Sequence, residues 1–222
     1  MDRKNSKLKE GIINFLTIAG DLILLNFFWF VCSIPLITIG PATCALYSVT
    51  LKLAEDPEEP VIKRFFKAFK ENFMQSLIVG VFSIFAILTI YVDVIYSLSI
   101  QGTIQKVYIV VAILLLAILL TIVSFGNALI VRYKNTLKEH IKNAFKLAFI
   151  NPVQTLLIWL ILLSPLFMFL FIPPIILVYL GWLLIFVFSL PTYLCSKVIF
   201  KIFKKIESTE GKSIWKEKKQ ED

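Results

Sequence analysis

Six long apolar stretches separated by short polar or basic segments set the pattern of this chain: residues 11–32, 34–53, 74–96, 107–131, 153–172 and 175–200. A helix of about 20 apolar residues crosses roughly 30 Å of hydrocarbon, and five of the six meet that length without difficulty. The second, 34–53, is less apolar. It opens with Pro35 and contains Gly40-Pro41, which predicts a short or kinked crossing. Charge decides whether it crosses at all. If it does, twenty-two of the 23 Lys and Arg residues lie on one side of the membrane and only Lys106 on the other. If it does not, the cluster Arg3, Lys4, Lys7, Lys9 and the basic segment 63–70 fall on opposite sides, against the positive-inside rule. The expected fold is therefore an all-α polytopic membrane bundle of six transmembrane helices, with both termini cytoplasmic.

Two shorter segments carry a different period. Ile62, Phe65, Phe66, Phe69 and Phe73 follow helical spacing, with Lys63, Arg64, Lys67 and Lys70 between them. A second basic stretch over 132–150 has the same character, so residues 61–73 and 138–149 are expected as cytoplasmic amphipathic helices. The two are also similar in detail. Ile62, Lys63, Phe66, Lys67, Asn72, Gln75 and Leu77 recur 79 residues later as Ile141, Lys142, Phe145, Lys146, Asn151, Gln154 and Leu156. Either this is a parallel repeat of an amphipathic helix feeding a span, or two basic interfacial helices resemble each other by composition. Gln101-Gly102 and Pro173-Pro174 mark outer turns, and Glu55 to Pro60 reads as an acidic, proline-bounded loop. Pro165 is expected to kink the fifth span. The membrane domain is expected to end near residue 206, with a polar tail over 207–222.

Composition agrees with this class: 58% hydrophobic residues, 17% charged and a mean hydropathy of +0.83 are too apolar for an ordinary soluble domain. A net charge of +8 would point to nucleic acid in a soluble protein, but here the basic residues flank apolar runs, so a nucleic-acid partner is not expected. Basic residues before the first apolar run superficially resemble a signal peptide. Asp21 interrupts that run and no small-x-small site follows, so a retained first helix is expected. Cys32, Cys44 and Cys195 form no C-x-x-C pair and read as packing residues. The chain has no phosphate-binding loop, no metal-ligand cluster and no nucleophile paired with a base, and its one histidine, His140, stands apart from such groups. Neither an enzyme nor a cofactor or metal protein is expected.

Asp21 is the sharpest single residue. About ten residues into the first span it lies roughly 15 Å deep, where an ionised carboxylate is costly. It is either a proton, ion or substrate site, with Asn26, Asn127 and Gln154 as candidate partners, or a hydrogen-bonding pin between helices. Pro35, Gly40 and Pro41 form a candidate helix break, whose freed backbone groups would coordinate a ligand or whose kink would be absorbed by neighbouring helices. Lys63, Arg64, Phe66, Lys67, Lys142, Phe145 and Lys146 are candidates for docking a cytoplasmic partner, the alternative being contact with anionic lipid headgroups.

The run from Asp21 through Asn26-Phe27-Phe28-Trp29, then Cys32-Ser33-Ile34-Pro35-Leu36-Ile37-Thr38-Ile39-Gly40-Pro41-Ala42 and Ala45-Leu46-Tyr47, resembles the N-terminal signature of the YesL family. Residues 65–73, Phe-Phe-Lys-Ala-Phe-Lys-Glu-Asn-Phe, are similar to that family's cytoplasmic segment. The resemblance covers about the first third of the chain. It implies a bacterial integral protein of the cell membrane, commonly encoded beside carbohydrate ABC transporters, and brings no biochemical activity with it. The expected function is a non-enzymatic accessory or permease-like component of oligosaccharide ABC uptake, in contact with the lipid bilayer and with permease or ATPase subunits. The alternative is a small autonomous secondary transporter or channel built around Asp21.

Overall fold

The structure, a computed structural model, describes residues 2–55, 60–171 and 188–209. The acidic residues 56–59, the Pro173-Pro174 turn, the first part of the expected sixth span (175–187) and the tail from residue 210 lie outside the described residues. The rest is all-helical. In chain order the elements are α1 (Asp2–Ser33), a 3₁₀ turn (Leu36–Thr38), α2 (Ile39–Glu55), α3 (Val61–Glu71), α4 (Phe73–Ser99), α5 (Thr103–Thr121), a π-helical turn (Ile122–Gly126), α6 (Asn127–Arg132), α7 (Leu137–Ile150), α8 (Pro152–Phe171) and α9 (Ser189–Thr209).

Four of these stretches are long and apolar enough to cross a membrane: Gly11–Ser33, Leu36–Glu55, Phe73–Ser99 and Thr103–Arg132. A fifth is reached if α7 and α8, bent by 109° at Asn151, are taken as one broken span. Sequence reading instead starts a separate span at Val153, with α7 as a surface helix. Six crossings are thus four or five among the described residues.

The least apolar of the four stretches is the centre of the molecule. In α2, 67% of the apolar window is buried, against 11% in α4. Its sequence explains this: Gly40, Ala42, Cys44, Ala45, Ser48 and Thr50 are small, and all are buried, so neighbouring helices approach its backbone closely. A β-carbon on Gly40 would collide with the Ser76 carbonyl of α4 and come within 2.7 Å of the Gly80 Cα. Gly80 faces Gly40 in return, so α2 and α4 cross backbone on backbone. Pro41 sits in the first turn of α2, where its missing N–H costs nothing. Of the candidate break residues, Gly40 and Pro41 lie within the continuous α2, while Pro35 precedes the 3₁₀ turn that separates α1 from α2, where Thr38 Oγ1 donates to the Cys32 and Pro35 carbonyls (2.6 and 2.7 Å). Across α2, Thr50 Oγ1 and Ser196 Oγ of α9 share a buried hydrogen bond of 2.8 Å.

Apolar side chains fill the space around α2 in two main clusters. Tyr47, Phe125, Leu129, Leu147, Ile158, Ile199 and Phe203 join α2 to α6–α9, while Leu22, Leu25, Leu46, Val49 and Phe65 join it to α1 and α3. Gly102 takes φ 91° before α5, a left-handed conformation suited to glycine, and makes the expected turn after α4.

The expected fourth span is not a uniform helix. Its lower part becomes a π turn at Ile122–Gly126, where Ser124 Oγ donates to the Leu120 carbonyl (2.6 Å) and Asn127 Nδ2 to the Val123 carbonyl (2.9 Å). Such side-chain donors compete with the backbone ladder and accompany helix bulges.

Candidate functional site

The strongest local signature is a repeat in three dimensions. On α3 and the start of α4, the buried positions are Val61, Phe65, Ala68, Asn72, Ser76 and Val79; on α7 and α8 they are His140, Ala144, Leu147, Asn151, Thr155 and Ile158. Each pair is 79 residues apart. The hydrogen bonds repeat too. Asn72 Nδ2 donates to the Ala68 carbonyl (3.0 Å) and Asn151 Nδ2 to the Leu147 carbonyl (3.2 Å), so each asparagine closes its amphipathic helix at the last turn. One turn further on, Ser76 Oγ donates to the Asn72 carbonyl (2.6 Å) and Thr155 Oγ1 to that of Asn151 (2.9 Å), fastening the hinge to the following helix. Shared amphipathic composition does not require matching hinge chemistry, so the parallel-repeat reading is the one the structure favours.

Thr136 begins the second copy as an N-cap whose hydroxyl accepts from the Glu139 N–H at 3.4 Å, the arrangement expected of Thr-x-x-Glu. In both copies part of the apolar stripe packs into the bundle, while Ile62 and Phe66 of the first and Phe149 and Ile150 of the second stay exposed. Lys63, Lys67, Lys142 and Lys146 are exposed, Phe66 is 39% exposed and packs edge-on against Phe28 of α1 (5.3 Å), and Phe145 is half-buried. Arg64 turns inward, its Nε donating to the Ser48 carbonyl of α2 at 3.3 Å.

The candidate acid and its candidate partners do not assemble. Asp21 is half-buried on α1 and makes no hydrogen bond with Asn26, Asn127 or Gln154. Asn26 is buried, with its Oδ1 accepting from the N–H groups of Phe188 (3.1 Å) and Ser189 (3.3 Å), so it caps the start of α9 from another helix. Trp29 reinforces that junction, stacking on Phe188 at 3.9 Å and donating from Nε1 to Thr43 Oγ1 of α2. Asn127 is buried beside the π turn, and its Oδ1 has no partner among the described residues. Gln154 is exposed on α8. Pro35 is exposed ahead of the 3₁₀ turn, while Gly40 and Pro41 are buried.

Sequence reading missed a polar cluster at the basic end of the bundle. Glu207 of α9 receives Arg132 through Nε (3.0 Å) and Nη2 (3.2 Å), and its Oε1 accepts from the Tyr133 hydroxyl at 2.6 Å. Burial, then the bond to Glu207 and its charge, pushes the Tyr133 phenol well above its ordinary range, so at neutral pH it remains a donor. The Arg132 guanidinium also lies over Phe200 and Phe203, at 5.7 and 5.4 Å from the ring centres. Glu207, assigned to the polar tail by sequence, is thus anchored to the bundle. The available signal was one acid following Lys201, Lys204 and Lys205, and an Arg closing a span.

Beside this clamp, α2, α3 and α6 enclose a half-open cavity of about 50 Å³ lined by Ser48, Lys52, Glu55, Arg64 and Arg132 among others.

Together these features define an all-helical, apolar, membrane-like protein with a small-residue central helix and a repeated amphipathic unit. Two comparisons support a YesL-like family protein. Residues 22–94 match the family described as "Protein of unknown function, DUF624", a region running from α1 through α4. The chain is also similar to "Uncharacterized protein YesL" of Bacillus subtilis (strain 168), 26% identical over 207 residues that cover 91% of this chain and 94% of the relative. No solved structure matches it.

Proposed function

We propose that this protein is a multi-pass component of the bacterial cell membrane, with six spans and both termini inside, that acts as a non-enzymatic accessory or permease-like partner of carbohydrate ABC uptake. The observation that carries the docking part is the fate of the two amphipathic helices. Each buries part of its apolar stripe in the bundle, Phe65 and Ala68 in one and Ala144 and Leu147 in the other, and offers outward a repeated basic face: Lys63 and Lys67, Lys142 and Lys146. A helix that lies in the headgroup layer needs its apolar stripe for the lipid. With part of that stripe committed to the bundle, the basic face, flanked by the exposed Ile62, Phe66, Phe149 and Ile150, suits an acidic partner surface with apolar anchors. The carbohydrate part rests on the family resemblance alone. Any ATP hydrolysis belongs to another chain, since the sequence has no phosphate-binding loop.

The test is affinity capture of the tagged protein from its native membrane in mild detergent, with mass spectrometry of what accompanies it. The expected result is recovery of an ABC permease or ATPase, lost when Lys63, Lys67, Lys142 and Lys146 are all changed to Gln. Unchanged capture by that variant overturns the docking surface. Recovery of the folded protein alone favours a second reading, autonomous transport, which the half-buried Asp21 supports. On that reading Asp21→Asn abolishes transport while leaving insertion intact, whereas a packing pin tolerates the amide.

A further inference from the structure

We propose that the cavity between α2, α3 and α6 binds a phosphate group. Three cationic side chains from three separate helices line it: Lys52, Arg64 and Arg132. Each is held by its own contact. Arg64 is drawn over the α2 backbone by the Ser48 carbonyl, Lys52 lies 3.8 Å from Glu55 one turn away, and Arg132 is fixed by Glu207. The site is therefore assembled before any ligand arrives, which lowers the cost of ordering it.

The contacts that hold Arg132 and Lys52 leave binding capacity. Glu207 engages Nε and one terminal nitrogen of Arg132, two of the five donors a guanidinium carries. The Lys52–Glu55 pair joins i and i+3 neighbours at the limit of contact with Glu55 43% exposed, and such pairs are weak enough to exchange for a better partner. Arginine forks match the oxygens of a phosphate, and a cavity of about 50 Å³ has several times the room one water needs. Among the described residues Glu55 is the one carboxylate in the lining and opposes an anion, so its removal should act opposite to removal of a cation.

A phosphate group reaches this place either as the headgroup of an anionic lipid or as a free phosphate. Purified protein in a non-ionic detergent, titrated with phosphatidylglycerol and separately with inorganic phosphate under native mass spectrometry, distinguishes them. Saturable uptake of phosphatidylglycerol that inorganic phosphate does not displace assigns a lipid headgroup; uptake of inorganic phosphate, or displacement by it, assigns an open phosphate site. In either case Arg64→Gln should weaken binding about tenfold, the loss of one charge-assisted hydrogen bond, and Glu55→Gln should tighten it. Lys52→Gln, which removes another cation of the same lining, replaces Arg64→Gln if that variant elutes as aggregate in size-exclusion chromatography. Absence of uptake of either probe overturns the proposal, as does uptake that neither cationic substitution weakens. The docking lysines are untouched in these variants, so this result and the capture experiment fail independently.

Discussion

Helices α2 and α4 cross each other at Gly40 and Gly80, yet they are built to opposite rules. α4 is long and strongly apolar, and most of its side chains are exposed: Phe82, Phe85, Ile87, Leu88 and Val92 are each more than half accessible. α2 carries Ser, Thr, Cys, Gly and Ala, and its buried face runs nearly its whole length. In water the apolar helix would be inside. On α4 the exposed side chains are apolar and suit hydrocarbon, whereas in α2 small, weakly polar residues mark the centre, where close backbone approach supplies the packing. A reading that ranks the four candidate spans by apolarity ranks α2 last, although it is the core.

The most damaging way to break this comparison is at the crossing. Gly40→Val should prevent α2 and α4 from meeting, since even one β-carbon at that point collides with the Ser76 carbonyl. Overpacking of a tight core costs about 1–3 kcal/mol, and more where backbone must move. The expected outcome is aggregated protein in detergent by fluorescence-detected size exclusion, with Gly80→Val equally severe. Normal elution and thermal stability for both variants would mean that α2 is not the packing centre.

Next in size is the clamp at the basic end. Glu207→Ala removes the partner of Arg132 and Tyr133 together, and loss of charge-assisted hydrogen bonds at a partly buried site should cost about 2 kcal/mol. A thermal-melt series in detergent reads this directly. The Tyr133 phenol adds a pH signature. Because its folded value is raised, its stabilising contribution is complete below its unfolded value near pH 10 and is lost as pH rises through the folded value. Tyr133→Phe should flatten that alkaline decline. A decline unchanged in Tyr133→Phe would assign it to other groups.

A smaller loss is expected from Asn26→Ala, which leaves the first N–H groups of α9 without their acceptor. Deleting a helix cap costs about 1 kcal/mol. At acidic pH, where a buried carboxyl in this span is neutral, Asn26→Asp should retain the cap, because its carbonyl oxygen can accept from the same Phe188 and Ser189 N–H groups. If Asn26→Asp and Asn26→Ala melt together, the cap is not what the asparagine contributes.

Much of this architecture was legible because the membrane amplifies two signals, apolar length and charge placement. They located α1, α4 and α5, and the 3.6-residue period located α3 and α7 within a few residues. The repeat was visible as shared residues, but its meaning lay in which positions are buried, and two different side chains such as Val61 and His140 share a register without resembling each other. The candidate site was far less legible. Asp21 stood out because a carboxylate in an apolar run is costly wherever it faces, while its proposed partners were chosen by residue type, and type does not say which way a helix turns. Asn26 faces α9 and Gln154 faces outward. Arg132, Tyr133 and Glu207 meet across 74 or 75 residues of chain, a distance over which no local pattern reports.

The smallest expected effect is also the sharpest test of the comparison. Phe82→Ala and Ile87→Ala remove large side chains from α4, and in a soluble core each would cost several kcal/mol by leaving a cavity. Phe82 is 68% exposed, so lipid or detergent should close around the shortened residue and the melting temperature should barely move. The cost of a charge follows different physics: Phe85→Lys on the same helix exposes an ammonium to hydrocarbon, for about 3 kcal/mol on insertion scales. Near-silent alanines with a poorly inserted lysine variant are the signature of a lipid-facing helix. Alanine variants that melt several degrees lower would instead place a protein surface against α4. The exposed face would then be an interface with another subunit, and the contrast with α2 would reduce to which partner each helix packs against.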